Sequence, residues 1–154
     1  MTRIIHAQTK AHYQSVRELF LQYAGSLGFD LEFQGFSREL AGLPGDYASP
    51  GGCILLAEVI GGHAGCVALR PLQDKICEMK RLYVIPEHQG RGIGRALAGS
   101  VVAEARRKGY QKMRLDTVES MKAAQRLYGS LGFKTIEAYC YNPLDNASFM
   151  ELEL

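Results

Sequence analysis

Apolar positions recur every three or four residues in three stretches of the chain, and each stretch is predicted to be an amphipathic helix. The first stretch runs from Lys10 to Leu27, the second follows a cluster of glycines and ends at Gly109, and the third covers 121–131. Only a short helix, around Ser37–Ala41, is predicted within the irregular segment 28–52. The predicted helices are therefore separated by long non-helical regions that contain the strands.

The remaining apolar runs are short and bounded by glycine or proline, which is typical of β-strands. Gly61-Gly62 separates two of them as a hairpin signal, and Pro86 ends the next. The strands between 53 and 85 are therefore predicted to form an antiparallel meander. The strand, helix and strand that follow suggest a parallel crossover. The predicted strands are 3–7, 53–60, 63–72, 75–85, 111–118, 133–139 and 148–154.

This order of elements predicts an α+β fold. We expect a mixed, mostly antiparallel central sheet of six to seven strands, with about four helices distributed over both faces. The chain has 154 residues, which is the length of one ordinary domain and is sufficient for a substantial core. We therefore expect a single domain over 1–154.

Composition and charge limit the possible partners. Hydrophobic residues make up 47% of the chain and charged residues 22%, and the net charge is +2. This balance lacks the basic surface of a nucleic-acid binder and favours a small-molecule partner. No apolar run approaches the ~18 residues of a membrane span, and the first residues, MTRIIHAQTK, carry no signal-peptide pattern. We therefore expect a cytoplasmic protein that binds neither membrane nor nucleic acid.

The cysteines and histidines show no metal-ligand spacing, so no metal site is expected. Three of the cysteines stand in predicted strands, where a free thiol behaves as a small buried hydrophobe. Core packing is the favoured interpretation for them. The cysteines are Cys53, Cys66, Cys77 and Cys140, and the histidines are His6, His12, His63 and His88.

The segment HQGRGIGRAL places Gly90, Gly92 and Gly94, with Arg91 and Arg95, at the start of a predicted helix. Glycine is unfavourable in a helix, so its presence there indicates a need for exposed backbone. The first amides of a helix lack internal partners and carry a partial positive charge. Glycines without side chains allow a phosphate to approach those amides.

Two other phosphate-binding patterns fail on spacing. A P-loop requires Lys-Ser or Lys-Thr after its glycines, and the dinucleotide fingerprint requires glycine where Arg95 stands. Taken alone, the segment fits an ordinary glycine-rich turn as well as it fits a phosphate site.

Two motifs resemble one family, the GNAT N-acetyltransferases. VIPEHQGRGIGRAL is similar to the acetyl-CoA loop of that family, [R/Q]-x-x-G-x-[G/A], with Gln89, Gly92 and Gly94 at its defined positions. AAQRLYGSLGF, from Ala123 to Phe133, resembles the A-x-x-x-Y-x-x-x-G-F element that lies near the C-terminus of family members. The resemblance covers nearly the whole chain and implies the acyl-CoA N-acyltransferase fold, with acetyl-CoA as cosubstrate.

The resemblance also implies which residues bind the cosubstrate. Amides of the glycine loop would bind the pyrophosphate of coenzyme A, and the preceding strand would pair its backbone with the pantetheine arm. Family members often have a cofactor-contacting Asn where this chain has Met121, so that polar contact is replaced here. The implied cofactor-binding residues are Leu82, Tyr83, Val84, Gln89, Gly90, Arg91, Gly92, Ile93, Gly94, Arg95 and Tyr128.

Two side chains are implied as catalytic. Tyr128, the tyrosine of the second motif, would be the general acid for the leaving thiolate, although its place on an apolar helix stripe also fits core packing. Glu78 would be the general base, and strand alternation would put it on one face with Leu82 and Val84. A cross-strand ion pair is an equal alternative for Glu78. Asp116 could have a structural role or could belong to the acceptor site, and the structural role is favoured.

The resemblance implies an N-acetyltransferase that transfers the acetyl group of acetyl-CoA directly to an amine, and it allows a homodimer. The near-neutral charge favours a small molecule as the acceptor. A non-catalytic sensor of acyl-CoA is the alternative. The acceptor would be bound by the segments 29–52 and 139–148. Their acidic and aromatic candidates are Asp30, Glu32, Glu39, Asp46, Asp145, Phe33, Phe36, Tyr47, Tyr139 and Tyr141.

Overall fold

The computed structural model describes residues 1–154 and contains one seven-stranded sheet with the strand order β1-β2-β3-β4-β5-β7-β6. The strands are β1 (Arg3–His6), β2 (Cys53–Val59), β3 (Gly62–Gln73), β4 (Ile76–Val84), β5 (Lys112–Val118), β6 (Lys134–Ile136) and β7 (Ala147–Glu153). The helices are α1 (Lys10–Ser26), α2 (Phe36–Ala41), α3 (Ile93–Arg107) and α4 (Lys122–Ser130). No helix combines the length and the apolar character needed to cross a membrane.

The pairing of the strands confirms the predicted mixed sheet. β2, β3 and β4 form the antiparallel meander, and β4 pairs with β5 in parallel. The remaining pairs, β1 with β2 and β7 with both β5 and β6, are antiparallel. Helix α3 connects the two parallel strands, as the crossover pattern indicated.

The helices cover both faces of the sheet and enclose two apolar cores. On one face, the buried stripe of α3 packs with Tyr128 of α4 and Phe133. On the other face, Val16 and Phe20 of α1 pack with Phe36 of α2. Because each core needs apolar residues from one face of the sheet, the central strands are buried on both sides. The α3 stripe consists of Ile93, Leu97, Val101 and Ala105.

The predicted boundaries agree with the structure to within about one residue, except that the last part of one strand is missing; a one-residue difference also moves a hairpin turn. The β2–β3 hairpin turns one residue earlier than predicted, because Val59 pairs with Gly62 and only Ile60 and Gly61 are left in the turn. The strand predicted over 133–139 is restricted to Lys134–Ile136. The chain leaves the sheet after Ile136, and the side chain of Tyr139 instead forms a long-range hydrogen bond to Glu78.

The parallel pair β4–β5 is joined over only part of its length. Ile76–Glu78 pairs with Lys112–Arg114, and beyond these residues the two strands are unpaired. Within β4, Arg81 adopts a left-handed φ of 61°. Ala68 of β3 pairs with Lys80, and Cys66 pairs with Tyr83. Between these two pairs β4 has one residue more than β3, so β4 contains a bulge. The sheet is therefore split on one side of β4.

The bulge reverses the side-chain alternation that the sequence suggested. Leu82 and Val84 pack into the core beneath α3, whereas Glu78 bonds to Arg70 on the opposite face. The prediction that residues 78, 80, 82 and 84 share a face is therefore wrong. The extra residue of a bulge shifts the alternation by one position, whereas strict alternation assumes a strand without a bulge.

Candidate active site

The glycine loop forms the N-terminus of α3 and leaves its backbone amides free. Gly90 and Gly92 have φ values of 78° and 82°, which side-chain-bearing residues rarely adopt. From Gly90 to Arg95 no backbone amide donates a hydrogen bond within the protein. These amides carry partial positive charge at the N-terminus of α3, so an anion bound there would be stabilised.

The side chains around the loop have different tasks. Gln89 donates from Nε2 to the carbonyl oxygen of Val84 at 2.9 Å, and its own amide donates to Pro86, so Gln89 fixes the loop to the end of β4. Arg95 bonds to Ser130 of α4 at 3.0 Å. Arg91 is exposed and forms no ion pair, so its charge remains available to an anion at the loop.

A groove extends from the glycine loop between the end of β4 and the start of α4. Most of the predicted cofactor-binding residues line it; Arg91 and Arg95 do not, and Tyr128 lies in the adjacent cavity. Met121, Lys122 and Ala123 form its opposite wall. The predicted residues that line the groove are Leu82, Tyr83, Val84, Gln89, Gly90, Gly92, Ile93 and Gly94.

A cavity opens where β4 and β5 separate, and it adjoins the groove. Tyr23, Leu82 and Met121 line both spaces. The cavity reaches both sides of the sheet, since its walls include Tyr128 from one core and Phe33 from the segment that covers the other face. A ligand in the groove and a ligand entering from the α1 side could therefore meet in the split of the sheet.

Tyr128 lies at this meeting point. Its side chain is buried, packs its ring 5.7 Å from that of Phe133, and forms no hydrogen bond through its hydroxyl. Burial raises the pKa of Tyr128 above its usual value. The hydroxyl therefore keeps its proton and has no partner within the protein, which are the properties of a general acid that is free to donate to a ligand.

Glu78 is fully engaged with other side chains and does not line the cavity. Arg70 donates to Oε1 from both Nε and Nη2 at 2.8 Å, and Tyr139 donates to Oε2 at 2.6 Å. The Glu78 side chain is 1% exposed. This is the cross-strand ion pair that the sequence analysis gave as an alternative, because Arg70 and Glu78 are register partners.

Asp116, for which the sequence favours a structural role, lines the cavity. Its Oδ2 accepts hydrogen bonds from Asn142 at 3.2 Å and Gln34 at 3.4 Å, and its Oδ1 lies 3.6 Å from Nζ of Lys80. Lys80 and Asn142 were not among the candidate residues. The sequence does not single out Lys80 or Asp116, because β4 also carries Glu78 and Arg81, and β5 also carries Lys112 and Arg114.

The other candidates for acceptor binding are distributed differently. Phe33 lines the cavity, as does Phe29 at the start of the same segment. Glu39 is paired with Arg81, and Tyr139 is bound to Glu78. The remaining candidates, Asp30, Glu32, Phe36, Asp46, Tyr47, Tyr141 and Asp145, do not line it.

Met121 lies where family members often have Asn. It precedes α4, lines both the groove and the cavity, and its thioether is 3.9 Å from the hydroxyl of Thr117. A thioether can offer only a weak acceptor, so Met121 supplies apolar contact rather than an amide donor.

The cysteines are free thiols. Cys53, Cys66 and Cys77 are buried and Cys140 is exposed. Burial raises the pKa of Cys53 to about 11, which leaves a protonated thiol at neutral pH. The structure brings together no group of three His, Cys, Asp or Glu residues that could hold a metal ion.

A sheet that splits beside a helix with free N-terminal amides defines an acyl-CoA N-acyltransferase fold, and solved structures show the same architecture. One, described as an acyl-CoA N-acyltransferase from Klebsiella pneumoniae, superposes with a TM-score of 0.77 at 28% identity, covering 100% of this chain and 98% of its own. Residues 13–133 match the sequence model of the acetyltransferase (GNAT) family. The chain therefore belongs to the GNAT family of acetyltransferases.

Two further relatives agree with this assignment. An uncharacterised N-acetyltransferase of Schizosaccharomyces pombe is 42% identical over 138 residues, which cover 88% of this chain and 85% of the relative. The yncA protein of Salmonella typhimurium, solved with its cofactor acetyl-CoA, has a TM-score of 0.74 at 22% identity and covers 99% of this chain and 94% of its own. At that identity the second likeness shows the fold alone.

Proposed function

We propose that this protein transfers the acetyl group of acetyl-CoA directly to the amine of a small molecule. The observation that carries the proposal is the adjacency of two spaces: a groove that begins at free helix amides, and a cavity lined by Tyr128, whose hydroxyl has no partner. The first fits a long ligand with a phosphate group, and the second, about 40 Å³ in volume, is where the amine of an acceptor would enter.

The residues of the groove fit coenzyme A. The free amides from Gly90 to Arg95 and the exposed Arg91 would hold the pyrophosphate. The edge of β4 beyond Glu78 has no β5 partner, so its backbone groups are available to the amides of the pantetheine arm. When bound, acetyl-CoA supplies an acetyl group activated as a thioester.

The protein's part in the chemistry would be to position the amine and supply a proton. The amine must lose a proton first, because an ammonium has no lone pair. Its nitrogen then forms a bond to the acetyl carbon as the bond from carbon to sulfur breaks. Tyr128 would give its proton to the departing sulfur, and the second proton, which the nitrogen loses as it becomes an amide, would restore the Tyr128 hydroxyl. A backbone amide near Val84 would stabilise the negative charge on the carbonyl oxygen.

We assign Glu78 a bracing role in this proposal rather than the role of base. Its carboxylate is occupied by Arg70 and Tyr139 and does not line the cavity. The amine proton would therefore pass to solvent through the open side of the cavity.

An acetylation screen tests the proposal. The protein is incubated with acetyl-CoA and separate amines, polyamines, amino acids and peptides, and the release of coenzyme A thiol is followed with the acetylated product identified by mass. Turnover of one amine class above the rate without amine is expected. Tight binding of acetyl-CoA with no turnover in the whole screen would instead favour the alternative of a non-catalytic acyl-CoA sensor.

A further inference from the structure

The cavity in the split of the sheet contains a buried pair of opposite charges. Nζ of Lys80 and Oδ1 of Asp116 lie 3.6 Å apart, and their side chains are 6% and 9% exposed. This separation is longer than a charge-assisted hydrogen bond. Buried charges are costly unless their hydrogen-bonding groups are satisfied, so the remaining partners of both residues determine what the cavity can bind.

Both charged groups have unused hydrogen-bonding capacity. Lys80 can donate three hydrogen bonds but gives one, to Oε1 of Gln34 at 3.0 Å. Asp116 receives its two hydrogen bonds, from Gln34 and Asn142, at Oδ2. Oδ1 receives none. A cationic donor group and an anionic acceptor atom therefore stand side by side on the cavity wall.

The neighbouring cation, Arg81, is not available to bind an anionic group of a ligand. Arg81 uses Nε and Nη2 on Glu39 and Nη1 on Oε1 of Gln34. Its guanidinium is thus held by the segment that covers the cavity. Lys80 is the cation whose donors remain available to a ligand.

The rest of the cavity on the α1 side is apolar. Its wall is built from the end of α1 and the segment that follows, and a ligand group placed there would meet only side chains without charge. These residues are Tyr23, Leu27, Phe29, Leu31 and Phe33.

We infer that the acceptor is an α-amino acid with an apolar side chain, which binds its ammonium to Asp116 and its carboxylate to Lys80. This inference rests on the proposed function and names the acceptor of the same site. The two charges of such a molecule flank a single carbon, which matches two opposite charges placed side by side. Its side chain would lie against the apolar wall, whose residues would have to move apart because the cavity holds about 40 Å³.

The same charges disfavour other amines. A polyamine would bring a second cation close to Lys80, and the amine of a peptide has a neutral amide where the amino acid has a carboxylate. Neither ligand would offer a carboxylate to the unused donors of Lys80. Tyr128 lines the same cavity, so an amine bound to Asp116 is on the side from which its nitrogen could react. The amino acid would lose one proton to solvent and become an N-acetyl amino acid as the thiol is released.

A matched substrate panel on the unaltered protein tests the inference. L-Phenylalanine is compared with phenethylamine, which lacks the carboxylate, with L-phenylalaninamide, in which it is neutral, and with L-alanine and spermidine. L-Leucine and L-methionine extend the apolar series. Loss of hydrogen bonds to a charged group costs about 1.5–3 kcal/mol, so kcat/KM should fall about 10-fold to 100-fold without the carboxylate.

The outcomes separate this inference from the proposed function. Equal or faster turnover of phenethylamine, L-phenylalaninamide or spermidine would overturn the amino-acid assignment and leave the acetyltransferase proposal intact. If no amine releases thiol although acetyl-CoA binds, the proposed function itself fails, and the acceptor assignment fails with it.

Variants provide a second readout. Lys80→Met should raise KM for L-phenylalanine, leave KM for acetyl-CoA within about threefold, and remove most of the preference for L-phenylalanine over phenethylamine, because the carboxylate partner is lost. A merely structural role for Lys80 would lower the rates on both amines equally. Lys112→Met is the matched control, since Lys112 lies 3.6 Å from Glu151 outside the cavity. The substrate panel remains decisive if Lys80→Met does not fold.

Discussion

Arg81 and Glu39 form a buried, two-pronged ion pair between the bulge of β4 and helix α2. Nε of Arg81 donates to Oε2 of Glu39 at 3.0 Å, and Nη2 donates to Oε1 at 2.8 Å. The guanidinium also lies 5.3 Å from the ring centre of Phe36. The pair therefore fixes the distorted part of β4 to the segment that covers the cavity.

Arg81→Met should destabilise the fold, because it leaves the Glu39 carboxylate without its partner. Removing one member of a buried pair costs about 3–5 kcal/mol, and we expect the lower end because Glu39 is 14% exposed. Urea unfolding measures the loss. Arg3→Met is the control, since the pair of Arg3 with Glu58 is 73% and 37% exposed and should contribute less than about 1 kcal/mol. Equal small losses in both variants would contradict the bracing role.

Gly92→Val should weaken the binding of acetyl-CoA. Gly92 has a φ of 82°, a conformation that valine strongly disfavours, and it lies among the free amides of the loop. Calorimetry with acetyl-CoA measures the change, and circular dichroism checks that the variant is folded. Gly99→Ala, within α3, is the control that should bind normally. A folded Gly92→Val variant with unaltered affinity would refute the assignment of the loop.

Tyr128→Phe should keep the affinity for acetyl-CoA and lower kcat, because only the hydroxyl proton is lost. General acids contribute on the order of 10²–10⁴-fold. Steady-state kinetics with the best amine of the screen measures the effect. Tyr13→Phe, which loses a hydrogen bond to the carbonyl of Ala7 away from the cavity, is the control. A decrease below about threefold in Tyr128→Phe would assign Tyr128 to the core instead.

The pH dependence follows from the upward shift in the pKa of Tyr128. The protonated hydroxyl is the active form, and burial moves its loss to a pH above the ordinary value of 10.0. We therefore expect no alkaline decline in kcat from this group up to pH 10. An alkaline limb centred below pH 10 that disappears in Tyr128→Phe would show that the hydroxyl ionises more easily than its environment indicates.

Glu78→Gln should lower stability and leave the shape of the pH–rate profile unchanged. The substitution removes the charge that binds Arg70, and hydrogen bonds to charged groups contribute about 1.5–3 kcal/mol. Thermal unfolding and a pH series of kcat/KM are measured on the same preparation. If the variant melts normally but loses its acidic limb, Glu78 is the base and the bracing role is wrong.

The sequence predicted the elements whose signals are local. The stripe of α3 and the glycines before it identified the crossover helix, because helix periodicity and chain breakers act within a few residues. The meander from β2 to β4 was predicted for the same reason. The family resemblance, carried by the glycine loop and the Tyr128 motif, added the fold as a whole.

The bulge and the identity of the cavity's carboxylate could not be predicted in this way. Arg81 takes a left-handed conformation that usually requires glycine, and it is held there by Glu39 from a distant segment. Strict alternation therefore placed Glu78 beside Leu82. The bulge instead leaves Glu78 on the opposite face, and the cavity is lined by Asp116 of the neighbouring strand.

The incomplete pairing of β4 with β5 has a consequence for the resistance of the protein to unfolding and degradation. Strands β1–β4 and β5–β7 behave as two half-sheets joined by a few hydrogen bonds between Ile76–Glu78 and Lys112–Arg114. A ligand that fills the gap replaces the hydrogen bonds that the two strands do not form with each other, and it binds only the folded chain. At a ligand concentration of 100 Kd, such binding adds about 2.7 kcal/mol to the free energy of unfolding. Resistance to heat and proteolysis would then rise and fall with the supply of the acyl donor.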